Sequence, residues 1–317
     1  MKGRLPLVAL VLALCVLGFF LNSYETDLYR KLLLWIALGL GFNFLFGICG
    51  QVAFSHFSFY GLGAYWIVIA VFQLHIPLPL AIILGIVLAG LLALLIAIPS
   101  TRLEGPYLAL ATLALAQLFH LAVVSGREFT GGDTGLGGYR LPDVFGLTVT
   151  GPWYTVCIVL LCAGTYVLLN RLDRSWFGRA CRAIRDNKAA AAAMGVSVPL
   201  TKVIAFTLTS ALASVAGFFY AFVDNLVAPG AFSLENMFAL LFMVIVGGSG
   251  RQIGAVIGVT LLYAAPFFIE PWIGHFHLMA FGALVVALII FQPRGLVSLI
   301  DGRRPHAKER ALRTRLS

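Results

Sequence analysis

The sequence predicts an all-α membrane protein, a polytopic bundle of about ten transmembrane helices. Of the 317 residues, 61% are hydrophobic and 11% are charged, whereas about a quarter of the residues in soluble domains are charged. Apolar runs recur along the whole chain, and a run of roughly 18 residues is long enough to cross the hydrocarbon core as a helix. Both observations indicate a chain that lies mostly within a membrane.

The spans are taken in order from the apolar windows. The first window follows Lys2 and Arg4, is long for a secretory signal and precedes no small-x-small cleavage site, so we expect a retained span. The eighth window is short, which leaves a broken or re-entrant helix open. The ten windows are 5–21, 32–49, 57–74, 78–98, 107–125, 153–170, 203–223, 237–248, 253–270 and 277–292.

Basic residues predict the orientation, because cytoplasmic loops carry an excess of Lys and Arg. With both termini inside, ten crossings place the basic 171–202 loop in the cytoplasm and the 126–152 loop outside; Arg30 and Lys31 are the main exceptions. The net charge of +9 then reflects orientation, and we expect no nucleic-acid partner because no basic segment has interleaved aromatic residues. We therefore divide the chain into a transmembrane domain, 1–300, which includes the central cytoplasmic segment 171–202, and a basic cytoplasmic tail, 301–317.

Two patterns concern packing and internal symmetry. Gly250, Gly254 and Gly258 are four residues apart, which predicts one helix face that packs closely on a neighbour. Five spans on each side of the central loop would give the two halves opposite orientations, as an inverted repeat requires. The similarity between the halves is weak, as in Phe54-Ser55 and Phe232-Ser233, so the repeat stays an open alternative.

Residue patterns typical of enzymes are absent from the sequence. There is no GxSxG or HExxH motif and no His/Cys cluster, and the glycine-rich stretch 130–138 lacks the GxxxxGK[ST] phosphate loop. We therefore predict no catalytic residue, no metal and no cofactor. No span holds an ionisable pair of the kind that proton- or sodium-coupled carriers use, so energy must come from another protein.

Polar side chains inside spans are costly unless they are paired or face water. We predict that six of them line a polar substrate path, although Ser and Thr at such positions commonly bond to backbone carbonyls. The six are Asn43, Gln51, Ser55, His56, Thr112 and Gln117.

The external glycine-rich loop has two interpretations. Gly131, Gly132, Asp133 and Gly135 either form tight turns with positive φ or belong to an ordered loop near a docking partner or a pore mouth.

The central loop predicts two short helices. Phe177, Cys181 and Ile184 recur at helical spacing within 176–186, and Asn187 resembles an N-cap for a second helix that Gly195 ends. Such a segment either lies on anionic lipid or docks in a groove of a cytoplasmic partner. For the docking hypothesis the contact residues are Phe177, Arg179, Arg182, Ile184, Arg185, Ala191 and Gly195.

Several motifs in order, over residues 32–300, resemble the branched-chain amino acid ABC permease family. The motifs are Gly41-Phe-Asn43-Phe-Leu-Phe-Gly47 with Gly50-Gln51, Ser55-His56, Gly61-Leu-Gly63, Gly105-Pro-Tyr, Thr130–Leu136, Gly178–Asn187, Phe242–Gly250 and Phe291–Leu296. Within this family the chain looks like the LivM type.

The resemblance implies a heteromeric importer in the bacterial inner membrane. A second permease subunit would complete the path, two ABC ATPase subunits would dock in the cytoplasm, and a periplasmic or extracellular binding protein would deliver substrate. Lys188 and Ala192 depart from the family, in which acidic residues are usual at both positions. The alternative functions are a secondary carrier or facilitator and a membrane enzyme. The substrate stays open among leucine-type amino acids, other amino acids, urea and amides.

Overall fold

The computed structural model describes residues 5–103, 105–139, 151–273, 282–283, 286, 290, 292 and 295–300. Helices form most of this part, and two short strands, β1 (Leu136–Gly137) and β2 (Leu226–Val227), pair antiparallel. The helices are α1 (Leu5–Leu17), α2 (Ser23–Asn43, continued by a π-helical turn Phe44–Ile48), α3 (His56–Val68, continued by a π-helical turn Ile69–Gln73), α4 (Leu78–Ser100), α5 (Pro106–Ser125), α6 (Arg127–Thr130), α7 (Pro152–Arg174), α8 (Trp176–Asp186), α9 (Lys188–Ala193), α10 (Val198–Tyr220), α11 (Leu234–Gly247), α12 (Gln252–Ile273) and a last turn, Val297–Ile300. Gly132–Thr134 and Pro229–Phe232 are 3₁₀ turns.

The bundle has two ends, which the contacts of α2 define. Near its start, Arg30 donates to the Gly151 carbonyl at 2.6 Å, beside the β1–β2 pair; we call this the strand end. At its other end, the Gly250 amide donates to Asn43 at 2.9 Å and Arg185 of α8 bonds to the Gly47 carbonyl; we call this the linker end. The segments 126–139 and 174–198 therefore lie at opposite ends, as the predicted orientation requires.

The helices agree with nine of the ten predicted windows. Six helices in the described part are long and apolar enough to cross a membrane, so the number ten is not confirmed. The tenth window falls largely, and the tail 301–317 wholly, outside the described residues. The six are Ser23–Ile48, Leu78–Ser100, Pro106–Ser125, Pro152–Arg174, Val198–Tyr220 and Pro229–Gly247.

Helix α3 lies at the centre of the bundle and is not one of the six. It is buried along most of its length and carries His56, Ser58, Tyr60 and Tyr65. Its neighbour α10 approaches closely, because a Cβ on Gly63 would lie 2.0 Å from the Ser214 carbonyl oxygen. A Cβ on Gly217 would likewise lie 2.0 Å from the Tyr60 carbonyl oxygen. Small residues therefore bring these two backbones into direct contact, where dispersion drives helix association.

Helix α4 buries one stripe of small residues and exposes the rest of its surface. Ala81, Gly85, Ala89, Ala93 and Ala97 are buried at intervals of four residues, so they share one face. The indole of Trp66 donates to the Ala81 carbonyl at 2.8 Å and fixes α4 against α3. The exposed leucines and isoleucines of α4 suit a lipid-facing surface.

The short eighth window corresponds to an interrupted segment. Helix α11 has only 14 residues and follows the 3₁₀ turn Pro229–Phe232. The ring of Phe232 lies 5.4 Å from that of Tyr60 and 5.9 Å from that of Tyr65, so this turn packs against the middle of α3. A broken segment, one of the forms the short window left open, is what the structure contains.

The predicted glycine ridge is divided between a turn and a helix. Gly250 precedes α12, has φ +89° and is not on a helix face with the other two. Gly254 and Gly258 do pack on α11, since a Cβ on Gly258 would lie 2.0 Å from the Met243 carbonyl oxygen. The difference arises because the chain reverses between α11 and α12, and Gly250 supplies the left-handed conformation of that turn.

Arg30 and Lys31, the exceptions to the predicted charge distribution, are paired at the strand end. The Lys31 ammonium lies 2.7 Å from an Asp224 carboxylate oxygen. A guanidinium nitrogen of Arg30 lies 3.1 Å from a carboxylate oxygen of Asp27. Arg30 also donates to the Thr155 hydroxyl at 2.8 Å. Both cations therefore have acidic partners at that end, which offsets their positive charge.

Candidate functional site

Asn43 joins the end of α2 to the turn before α12. Its side chain is fully buried; its carbonyl oxygen accepts from the Gly250 amide, and its amino group donates to Gln252 at 3.4 Å. Both ends of this amide are thus used in contacts within the chain. Gly47, one turn further on, leaves room for this contact, because a Cβ there would lie 2.2 Å from the Gly250 nitrogen.

Gln51 and Thr112 hold the segment between α2 and α3. Thr112 accepts from the Phe54 amide at 3.0 Å and donates to the Leu108 carbonyl at 2.9 Å, so it ties α5 to this segment. Gln51 is buried at the linker end, where it borders a small cavity with Ser100 and Lys202. Its amino group has no hydrogen-bond partner among the described residues.

Ser55 and His56 begin α3 inside the bundle. The Ser55 hydroxyl and both ring nitrogens of His56 are buried and have no partner of hydrogen-bond geometry in the described part; the Leu38 carbonyl lies against the ring. Gly41 makes room for the imidazole, since a Cβ there would lie 3.2 Å from its Nε2. These groups form a polar patch between α2, α3 and α10.

Gln117 lies apart from the other five predicted path residues. It is exposed on α5, a helix of which only 22% is buried. Leu110 and Leu121 share its exposed face. The structure therefore places five of the six predicted residues inside this bundle and one on an outer surface.

Helix α8 forms over the predicted range and is anchored to its own bundle. Phe177 stacks on Phe44 with ring centroids 6.2 Å apart, and Cys181 and Ile184 are buried. The Cys181 thiol lies beside that of Cys49, which directly follows the π-helical turn of α2. The apolar stripe that was expected to enter a partner's groove is thus occupied within this chain.

The arginines of α8 are also held within the chain. Arg182 pairs with Asp173 at the end of α7, and Arg185 bonds to the Gly47 carbonyl and, at 3.3 Å, to Asp186. Arg179 is exposed and donates to the Arg174 carbonyl at 3.2 Å. Of the predicted arginines, Arg179 has the guanidinium best placed for a contact outside this chain.

Helix α9 presents the exposed apolar surface of the linker end. Asn187 caps it as predicted, accepting from the Ala190 amide at 3.0 Å, and Gly195 follows with φ +83°. Ala191 is buried, whereas the alanines around it are exposed. Met194 is 85% exposed, so this short helix projects a methionine and small residues away from the bundle.

The glycine-rich loop at the strand end consists of tight turns. Gly131, Gly132 and Gly135 all have positive φ, between 60° and 74°, and Asp133 is exposed in the 3₁₀ turn between them. A Cβ on Gly135 would lie 2.2 Å from the Val227 carbonyl oxygen, so the loop is pressed against β2. The loop is ordered by this contact.

Sequence reasoning missed Gln252. It is buried, lies at the start of α12 and bonds to Asn43, 209 residues away in the chain. The only signal in the sequence was a polar residue next to Arg251 at the edge of the ninth window.

A family model and individual relatives both assign this chain to the same protein family. The sequence model described as branched-chain amino acid transport system, permease component, matches residues 26–293. The LivM permease of the high-affinity branched-chain amino acid transport system of Salmonella typhimurium is 28% identical, over 97% of this chain and 77% of its own length.

Two further relatives show how far the similarity reaches. A probable branched-chain amino acid transport permease protein LivM of Methanocaldococcus jannaschii is 28% identical over 69% of this chain and 67% of its own length. The autoinducer 2 import system permease protein LsrC of Klebsiella pneumoniae is 33% identical over 48% of this chain and 44% of its own length. No solved structure gives a significant match.

Proposed function

Because this chain belongs to the family of branched-chain amino acid transport system permease components, we propose that it forms the membrane path of an ABC importer together with a second permease subunit. Two ATPase subunits at the linker end supply energy, and a binding protein at the strand end delivers the solute. The match over residues 26–293 carries this proposal. Leucine-type amino acids are the proposed substrates, because the relatives similar over most of the chain are permeases of branched-chain amino acid systems.

The exposed face of α5 borders the proposed path. Gln117 lies on that face among leucines, and an amide that faces lipid would lose its hydrogen bonds with water. A hydrated surface shared with the second permease provides those bonds. Gln51 and Thr112, at the linker end of the same region, position the segment through which solute leaves. Asn43, Ser55 and His56 support this wall from inside the bundle.

Helices α8 and α9 divide the proposed coupling role. Phe177, Arg182, Ile184 and Arg185 fix α8 to the bundle, so a displacement of α8 moves the end of α2. Helix α9, with Met194 and the exposed alanines, enters the ATPase groove, and Arg179 contributes a charge beside it. The sequence predicted that the apolar stripe of α8 would dock on the partner. That stripe is buried against the same chain, so the docking role is assigned to α9 instead.

The proposed location is the bacterial inner membrane, with ten spans and both termini in the cytoplasm. The positions of two described segments support it, because the 126–139 loop lies at the strand end and the basic 174–198 segment lies at the linker end. The loop around Gly131 and Asp133 then faces the binding protein.

The experiment is reconstitution of the whole assembly. This chain, its partner permease, the two ATPases and the binding protein are placed in liposomes, and uptake of labelled leucine is measured with and without ATP. We expect uptake only with ATP and all subunits, and no nucleotide binding by this chain alone. Leucine transport by this chain without ATPases would contradict the proposal and support a facilitator.

A further inference from the structure

A cavity at the linker end lies next to residues that anchor α8 and the end of α2. It measures about 410 Å³ and lies between the last turns of α7 and the start of α12. Binding sites for small molecules fall within roughly 300–1,000 Å³, so the size suits a metabolite. Tyr166, Asn170 and Arg174 line it from α7; because they are four residues apart, they share one helix face.

Gln252 lines this cavity and carries a buried side-chain donor without a partner in the described part of the chain. Its side chain is 4% exposed, and its Nε2 has no hydrogen-bond partner in the described part of the chain. The orientation of the amide follows from its neighbours. The Gly250 amide fixes the Asn43 oxygen, so the Asn43 nitrogen must donate to the Gln252 oxygen, which leaves the Gln252 amino group unpaired.

An unpaired buried donor is destabilising, so a ligand acceptor at this point would be favourable. Arg174 lines the same cavity and its guanidinium adds positive charge. Planar guanidinium groups recognise carboxylates through paired hydrogen bonds. Together these groups select a carboxylate.

The rest of the wall matches the other parts of an aliphatic amino acid. Asp173 supplies a carboxylate oxygen for an ammonium group, although it also accepts from Arg182. Ile253 and Val297 supply an apolar surface for a hydrocarbon side chain. A zwitterion with a branched side chain therefore fits this wall better than a simple anion does.

We propose that this cavity binds the transported amino acid on the cytoplasmic side and that the bound molecule inhibits further import. The inference rests on the proposed function, which supplies the substrate and places the linker end in the cytoplasm. The ligand carboxylate lies between Gln252 and Arg174, and its ammonium group faces Asp173.

The inhibition follows from the position of the cavity. Gly250 and Gln252 belong to the turn that holds Asn43, and a Cβ on Gly250 would lie 3.2 Å from a guanidinium nitrogen of Arg185 in α8. A ligand bonded to Gln252 stiffens this turn and so opposes the displacement of α8 that import requires. Cytoplasmic substrate thereby slows its own uptake.

The test uses the whole complex in liposomes that contain defined leucine on the cytoplasmic side. In the wild type, we expect internal leucine to slow ATP-driven uptake in a saturable way. Arg174→Gln removes one charged donor, so the inhibitory concentration rises about tenfold or more. Gln252→Glu keeps an oxygen for Asn43 and opposes the ligand carboxylate with a negative charge, so inhibition disappears.

The matched control is Arg171→Gln, which removes the same charge from an exposed residue of α7 that does not line the cavity. We expect internal leucine to inhibit uptake by the Arg171→Gln complex at the same concentration as in the wild type. We also expect labelled leucine to bind saturably to the complex without binding protein. Its affinity should be equal in the wild type and Arg171→Gln, lower in Arg174→Gln, and lost in Gln252→Glu. A wild-type complex that imports leucine, yet neither binds it at this face nor slows with internal leucine, overturns the inference. Loss of inhibition in Arg171→Gln to the same extent overturns it too, whereas absence of ATP-driven leucine import contradicts the proposed function instead.

Discussion

At the scale of single residues, two amides predicted for the same path have different surroundings. Asn43 is buried and uses both its oxygen and its nitrogen within the chain, whereas Gln117 is exposed on α5. The sequence identified both as polar groups in apolar windows. It did not show the partners of Asn43, because Gly250 is 207 residues away and only the folded chain brings it near.

Replacement of Asn43 tests its structural role. Asn43→Leu leaves the partly buried Gly250 amide without its acceptor, which costs about 1–3 kcal/mol. We expect a lower midpoint of thermal unfolding for the purified chain in detergent. Gln117→Leu is the comparison; because its side chain is exposed, it should leave that midpoint unchanged and reduce uptake in the assembled complex. Equal thermal stability of Asn43→Leu and wild type would contradict the role assigned to Asn43.

At the scale of elements, the two short helices between α7 and α10 were the most predictable part. The spacing of Phe177, Cys181 and Ile184 gave α8, and Asn187 gave the start of α9. The direction of the apolar face was not predictable. An amphipathic pattern says that one face is buried, and only packing shows that Phe44 of the same chain covers it.

A proline in α9 tests the coupling proposal. Ala191→Pro removes the hydrogen bond from the Ala191 amide to the Asn187 carbonyl, 3.0 Å long, and distorts the helix without a change in charge. We expect normal insertion of the chain and loss of ATP-driven uptake. Ala191→Ser, which keeps the amide and nearly the size, serves as the control. Full uptake by a folded Ala191→Pro complex would exclude α9 as the coupling element.

The contact between α3 and α10 gives a stability prediction. A methyl group on Gly217 would meet the Tyr60 carbonyl at 2.0 Å, and a backbone atom inside a bundle moves only with its helix. Gly217→Ala should therefore destabilise the chain by about 3 kcal/mol or more, at the upper end for overpacked cores. Gly164→Ala on α7, where a Cβ would meet nothing within 4 Å, should be nearly neutral in the same unfolding assay. Similar stability of the two variants would show that α3 and α10 are less tightly packed.

At the scale of the whole molecule, composition predicted a helical membrane protein, and nine windows agree with the helices. The interruption before α11 was not predictable in detail, because Pro229 and Gly230 indicate a turn but not that Phe232 packs on α3. Likewise, the apolar pattern does not distinguish a central helix such as α3 from one that faces lipid.

Orientation is testable with two exposed positions at opposite ends. In a background without native cysteines, Thr134→Cys at the strand end should react with an impermeant maleimide added to intact cells. Ser197→Cys at the linker end should react only after the membrane is opened. Labelling of Ser197→Cys from outside would reverse the proposed orientation.

The ion pair between Lys31 and Asp224 has a consequence for biosynthesis. The two residues are separated by 193 positions, from 31 to 224. At roughly 5–20 residues per second, the ribosome needs on the order of 10–40 s to reach the acidic partner after it has made the lysine. During that interval the Lys31 ammonium at the strand end of α2 lacks Asp224, its partner in the folded chain. Because Asp224 follows α10, we expect the ion pair that ties α2 to the second half of the chain to form only late in synthesis.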